Sequence, residues 1–247
     1  MDISIFPLKN FPIINPGESL TEIIVRELKK IDLKNHDILV IAHTIVSKAE
    51  NQVYNLNEIT PSPLAIHIGT IQDKDPRKIE VILRNSKEIV RMNDRVLITS
   101  SLHGFVCANS GIDQSNTAGN TVISLPIDPD LSARRIKKAI KENYGLDVAI
   151  IITDTFGRPL RVGTVNFAIG VAGINPLEDI RGSYDLFGYE LRSTIIARAD
   201  EVAAAAGIVM GQANEGTPVI IVRGVKYSTN EASARDLIRN QEKDVFR

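Results

Sequence analysis

Apolar and polar residues recur along this chain with two periods, and the period marks the element. After Pro16-Gly17, the residues Leu20, Ile23, Ile24 and Leu28 fall at helical spacing, and Ser19 with Glu22 has the spacing of a capping box. That pattern predicts a helix with one face in a core. Residues 37–42 (DILVIA) are short and mostly apolar, which predicts a buried strand. A second helix is predicted from Asp75-Pro76, with proline in the first turn and Ile79, Ile82, Leu83, Ser86, Ile89 and Val90 as its inner face. Residues 95–100 and 121–125 read as strands. The next helix runs from about Asp130 to Tyr144, with Gly145 placed to stop it in a left-handed conformation. Residues 148–153 and 165–171 read as strands rich in β-branched side chains. A long helix is expected over residues 189–206, ending in four consecutive alanines, then a strand over 219–222 and a polar terminal helix over 233–246.

Helices and strands are mixed without strict βαβ alternation, so the expected class is α+β, as a single module over residues 1–247 with room for two lobes. No low-complexity linker and no repeat of fixed period marks a boundary between lobes. Hydrophobic residues make up 43% of the chain, enough to exclude a disordered one. Lys and Arg number 29 against 30 Asp and Glu, so no basic excess favours nucleic acid as a partner. Cys107 is the sole cysteine, which rules out an intramolecular disulfide and suits a reducing compartment. The N-terminus lacks a basic segment followed by an apolar one, and the longest apolar run, residues 148–152, is far short of the ~18 residues of a membrane span. A cytoplasmic protein with no membrane partner is expected.

Several common signatures are missing: no Walker A loop, no Rossmann glycine motif, no zinc spacing among the four histidines and Cys107, and no nucleophile elbow. Two polar clusters remain. The first is CANSGIDQSN, from Cys107 to Asn116, where small residues allow close backbone approach and Asp113 offers oxygen to a hard cation. The same composition also suits an Asx-rich turn. The second is TDTFGRPLR, from Thr153 to Arg161, at the carboxyl end of a predicted strand. Asp154 and Thr155 there suit a divalent metal, and Arg158 and Arg161 suit anionic groups; a helix N-cap Asp with surface arginines is the alternative. Lys48, in TIVSKAE, either reaches a phosphate or is a solvated surface lysine.

The ordered set HGFVCANSGIDQSN, ITDTFGRPLRVG, ADEVAAAAGIVMGQ and PVIIVRG, preceded by FPIINPGESL and IVSKAEN, resembles the coenzyme F420-0:gamma-glutamyl ligase family over residues 6–224. The resemblance implies a stand-alone ligase with a two-lobed fold that lacks Walker A and Rossmann motifs. It implies addition of L-glutamate to the coenzyme F420-0 carboxylate, and of successive gamma-linked glutamates, with GTP as co-substrate. Two Mn²⁺ or Mg²⁺ ions per site, K⁺ and a homodimer come with it. Carried over by motif, Asp113 and Asp154 bind one metal, Thr155 the second, and Gln212 stands at a metal-side position where some relatives have Glu. Nucleotide contacts are implied for Phe11, Pro12, Ile13, Ile14, His43, Thr44, Lys48 and Asn116, and for Ile208, Val209, Met210, Gly211, Gln212, Ala213, Asn214 and Glu215. The competing readings are a metal-dependent phosphohydrolase and a non-catalytic nucleotide-binding module. Nucleotide turnover that requires both glutamate and the coenzyme precursor separates the ligase from both.

Overall fold

The computed structural model describes residues 2–245. Its first half contains β1 (Ser4–Pro7), α1 (Leu20–Leu28), β2 (Ile38–Ala42), α2 (His43–Ala49), β3 (Val53–Asn55), α3 (Pro63–Gln72) and α4 (Pro76–Arg84). Three short-loop strands follow, β4 (Ser86–Met92), β5 (Leu97–Ser101) and β6 (Val106–Ala108), then β7 (Thr121–Ile123) and α5 (Pro129–Tyr144). The second half has β8 (Ala149–Arg158), β9 (Arg161–Ala172), β10 (Glu178–Asp179), β11 (Ile195–Ile196), α6 (Arg198–Met210) and β12 (Val219–Arg223). The class is α+β.

A five-stranded sheet in the order β1-β12-β2-β8-β9 organises the larger core. Only β2 and β8 pair in parallel, from Ile38 opposite Ala149 to Ala42 opposite Thr153; the other neighbours are antiparallel. Ile38, Leu39, Val40 and Ile41 of β2 and Ala149, Ile150, Ile151 and Ile152 of β8 are all fully buried. Successive strand side chains point to opposite faces, so these strands are covered on both sides, which is why their sequences read as continuous apolar runs. Helix α6 packs on β9, β12 and β1, and α5 on β8 and β9. Burial of each large aliphatic side chain here contributes about 1.5–3 kcal/mol. A second, smaller core gathers Leu56, Ala65, Ile68, Ile79, Val81, Ile82, Leu97, Ile112 and Val122 around α3, α4 and the β4-β5-β6 sheet.

Several predicted elements change on folding. The helix begun at Pro76 ends at Arg84, and Ser86, Ile89 and Val90 lie instead on β4, paired with β5. Ser86 donates its hydroxyl to the Ile82 carbonyl at 2.6 Å, which occupies a carbonyl of the last helical turn. The helix expected from Tyr189 begins only at Arg198; the preceding residues form a bridge between Tyr184 and Glu190 and the β10-β11 ladder. The predicted terminal helix is two 3₁₀ turns, Ala234–Leu237 and Gln241–Lys243; its last expected residue, Phe246, lies outside the described residues. There Asp130 accepts from Ser233 Oγ (2.6 Å) and Ala234 N (3.1 Å), clasping the segment to α5. Helix α1 forms where expected, yet the Ser19 side chain makes no capping bond. Helix α5 is capped by Asp128, and Gly145 ends it at φ 70°, the left-handed conformation its position calls for.

Strand β8 runs on past residue 153 to Arg158, beyond the end of its partner β2. Asp154 therefore lies inside a strand, paired with Phe167 of β9, and not at a helix N-cap. At the same level the chain leaves β2 and turns at once into α2. The backbone of α2 and the projecting half of β8 thus diverge from one point, and a cavity opens between them.

Candidate functional site

The cavity measures about 700 Å³ and takes side chains from six separate segments. From the loop after β1 come Phe11, Pro12, Ile13 and Ile14; Phe11 and Ile14 anchor it in the core, whereas Ile13 is 84% exposed. Helix α2 supplies His43 and Thr44 from its first turn and Lys48 from its last. The polar loop after β6 supplies Asp113 and Asn116, and β8 supplies Asp154 and Thr155. Met210, Gly211, Gln212, Ala213, Asn214 and Glu215 follow from the end of α6. Residues separated by up to two hundred positions thus face one space.

Two residues of the predicted nucleotide set lie elsewhere. Ile208 points outward at 84% exposure, and Val209 packs against the larger core. Neither lines the cavity. Arg158 and Arg161 are also off its wall: they pair at the far end of the β8-β9 hairpin, where Arg158 donates to the Val162 carbonyl at 3.2 Å. Of the cations singled out in the sequence, Lys48 is the one in the cavity.

Lys48 is half-buried, and its Nζ donates to the Asn116 carbonyl at 2.7 Å, joining α2 to the polar loop. Burial lowers its pKa. The loop itself is held by unusual backbone: Asn109, Ser110 and Gly111 all have positive φ, at 56°, 53° and 70°. Ser110 is buried and pinned by Ser86 Oγ and Thr99 Oγ1, each at 2.7 Å, which keeps this left-handed run in place. Asp113, next along, accepts from the backbone N–H (2.7 Å) and the hydroxyl (2.5 Å) of Ser115.

Asp154 accepts from the Thr155 N–H at 2.6 Å and lies 3.2 Å from His43 Nε2. The other His43 nitrogen is 3.4 Å from Ser47 Oγ, so this buried ring is held at both ends. Burial pulls the His43 pKa down, but the charge and hydrogen bond of Asp154, with the charge of Asp113 behind them, outweigh it and leave the pKa raised. On the opposite side of Asp154, Gly111 approaches so closely that a Cβ there would stand 3.1 Å from Oδ2.

Among the oxygens lining the cavity are the carboxylates of Asp113, Asp154 and Glu215, the Thr155 hydroxyl and the Gln212 amide carbonyl. Hard oxygens of this kind fit Mg²⁺ or Mn²⁺ and suit zinc or copper poorly. Among the described residues no three His, Cys, Asp or Glu side chains converge as a metal cluster, so a cation here would have to draw on neutral oxygens such as those of Thr155 and Gln212 as well. Sequence reasoning missed Asn166, which is 4% exposed, lines the cavity and touches Gln212. No local signal marks it, since it is one polar residue in the apolar run of β9.

Comparison with known proteins gives this cavity a family. A model of the F420-0:gamma-glutamyl ligase family matches residues 9–224, a span that contains every segment of the cavity wall. The chain belongs to the F420-0:gamma-glutamyl ligase family. Three ligases of that family, each named coenzyme F420:L-glutamate ligase, illustrate the similarity. The one from Methanothermobacter thermautotrophicus is 44% identical, with 100% of both chains covered. That from Methanopyrus kandleri is 47% identical over 95% of this chain and 93% of its own, and that from Methanocaldococcus jannaschii 46% identical over 96% and 94%. Among the described residues of this F420-0:gamma-glutamyl ligase family member, no helix is long and apolar enough to cross a membrane.

Proposed function

We propose that this chain joins L-glutamate to the carboxylate of coenzyme F420-0, with GTP and a divalent metal in the cavity between α2 and β8. The observation that carries the reading is the meeting of Asp113, Asp154, Thr155, Gln212 and Lys48 on one wall system. The names of the similar ligases support the substrate pair.

A carboxylate does not acylate an amine directly, because an oxide ion is a poor leaving group. Attack of the carboxylate oxygen on the γ-phosphorus of GTP forms a carbon–oxygen–phosphorus linkage and breaks the bond to GDP. The glutamate nitrogen then attacks the acyl carbon, inorganic phosphate departs with the electron pair, and the nitrogen gives up a proton. A divalent cation, when bound, supplies positive charge opposite the phosphates. Asp113, Asp154, Thr155 and Gln212 would hold it. Lys48, tied to Asn116, presents a compact cation to the same anionic groups. The short loop from Phe11 to Ile14 and the turn after Met210 line the cavity and on this reading would flank the nucleotide.

The deciding experiment for the reaction is mass spectrometry of coenzyme F420-0 after incubation with GTP, Mn²⁺ and glutamate. The expected product gains mass in glutamate-residue steps, with one GDP and one phosphate per step. Release of GMP and pyrophosphate would exclude the acyl-phosphate route, and GTP hydrolysis without added glutamate would favour a phosphohydrolase.

A further inference from the structure

Behind Thr155 and Gln212 stands Asn166, buried to 4% exposure in β9. Its amide nitrogen lies 3.7 Å from the Met210 sulfur. A thioether accepts hydrogen bonds and never donates, so it fixes the amide with –NH₂ toward sulfur and Oδ1 toward the cavity wall. That Oδ1 receives Gln212 Nε2 at 3.0 Å. With its –NH₂ turned inward, Gln212 directs Oε1 toward Thr155 Oγ1, 3.1 Å away; Oγ1 is also 3.3 Å from Asn166 Oδ1. The single Thr155 hydrogen serves one of these two oxygens, and the Oγ1 lone pairs stay available. If both amides were reversed, N–H groups would replace these acceptors.

We propose that Asn166 is a positioning residue: through Gln212 and Thr155 it orients the wall beside Asp154 so that oxygen lone pairs, not N–H groups, face a divalent cation. The inference rests on the metal reading of this cavity given above. Gly207 of α6 supports the arrangement from outside the cavity. A Cβ at that position would stand 2.8 Å from Asn166 Oδ1 and 2.9 Å from its Cγ, so the bare helix face leaves the amide its place.

The test is titration of the purified full chain with Mn²⁺ alone, followed by electron paramagnetic resonance, with melting temperature measured in the absence of metal. Asn166→Leu, which removes the oxygen at similar volume, should weaken Mn²⁺ binding about 10-fold, the usual scale for a group behind a metal ligand. Asn166→Asp keeps an oxygen facing Gln212 and should stay within about 3-fold of the wild type. Gly207→Ala presses on the amide and should weaken binding, although alanine is the better helix former by about 1 kcal/mol. Asp154→Asn is the control for the site itself. If the wild type and Asp154→Asn bind Mn²⁺ alike, or neither binds, the metal reading fails. If Asp154→Asn is weakened while Asn166→Leu titrates like the wild type, the metal reading stands and the positioning role is overturned. Equal losses in the Leu and Asp variants would also overturn it, since packing and not the oxygen would then matter. Should Asn166→Leu fail to fold, wild-type affinity in Gly207→Ala overturns the positioning role in its place.

Discussion

Gly111→Ala tests the link between the strained polar loop and Asp154. Gly111 has φ +70°, and a Cβ there would lie 2.7 Å and 2.9 Å from Leu125 Cδ2 and Cγ, and 3.1 Å from Asp154 Oδ2. Leu125 is buried in the larger core and cannot swing into solvent. The left-handed backbone alone costs a non-glycine residue about 1–2 kcal/mol. Crowding of a packed side chain adds about 1–3 kcal/mol, so the total should fall near 2–5 kcal/mol. For a chain of this size that lowers the melting temperature by roughly 10 °C. Gly119, in the same loop region, provides the comparison: it also has positive φ, at +62°, but nothing lies within 4 Å of its Cβ position. Gly119→Ala should therefore show the backbone cost only, about 1–2 kcal/mol. Differential scanning calorimetry of the two variants isolates the contact from the backbone effect. A Gly111→Ala variant no less stable than Gly119→Ala would refute the packing argument. Weaker Mn²⁺ binding in Gly111→Ala alone is the expected functional counterpart, because only that methyl group presses on Asp154.

Lys48→Ala should raise the KM for GTP and lower kcat, with little change in melting temperature without nucleotide; unchanged GTP kinetics would remove Lys48 from the site. Asp130→Ala strips the acceptor from the Val171 N–H (2.7 Å) and the Ala234 N–H (3.1 Å). Two buried unpaired donors should cost about 2–5 kcal/mol in urea unfolding, and a loss under about 1 kcal/mol would show that water or neighbouring groups replace the carboxylate. Burial, with the Asp154 charge assisting, pushes the Cys107 thiol up to about 12, against a small lowering by the Gly111 N–H. At pH 8 Cys107 should thus stay protonated in the folded chain, and iodoacetamide should label it at least ~10²-fold more slowly than in denaturant. Equal rates would place the thiol in solvent.

Much of the architecture was legible because it depends on patterns a few residues long. The runs at 37–42 and 148–153 became the buried parallel pair of strands, since an apolar run that short is stable only when covered on both faces. Helix α5 and its stop at Gly145 followed from local capping chemistry and from the left-handed turn that glycine accepts without strain. The polar clusters around Asp113 and Asp154 also stood out, because carboxylates among small residues beside apolar runs contrast with their surroundings.

Tertiary structure decided the rest. Ile89 and Val90 fit a helical stripe as well as a strand, and only the pairing of Ser86–Met92 with Leu97–Ser101 chose between them. The stretch from Tyr189 to Ala197 fits a helix on pattern, yet the β10-β11 ladder holds part of that segment extended. Sequence spacing says nothing of which distant loops share a wall, so Ile208 and Val209 could not be told apart from Gln212 until α6 had a direction. Asn166 was invisible for the same reason. A lone asparagine in an apolar strand acquires meaning only when Met210 and Gln212, more than forty residues later, are folded against its two ends. The chain's own order thus determines which segments bury themselves and which stay polar. The orientation of one amide against another, and with it the character of the cavity wall, arises from contacts that exist only after the sheet and α6 have packed.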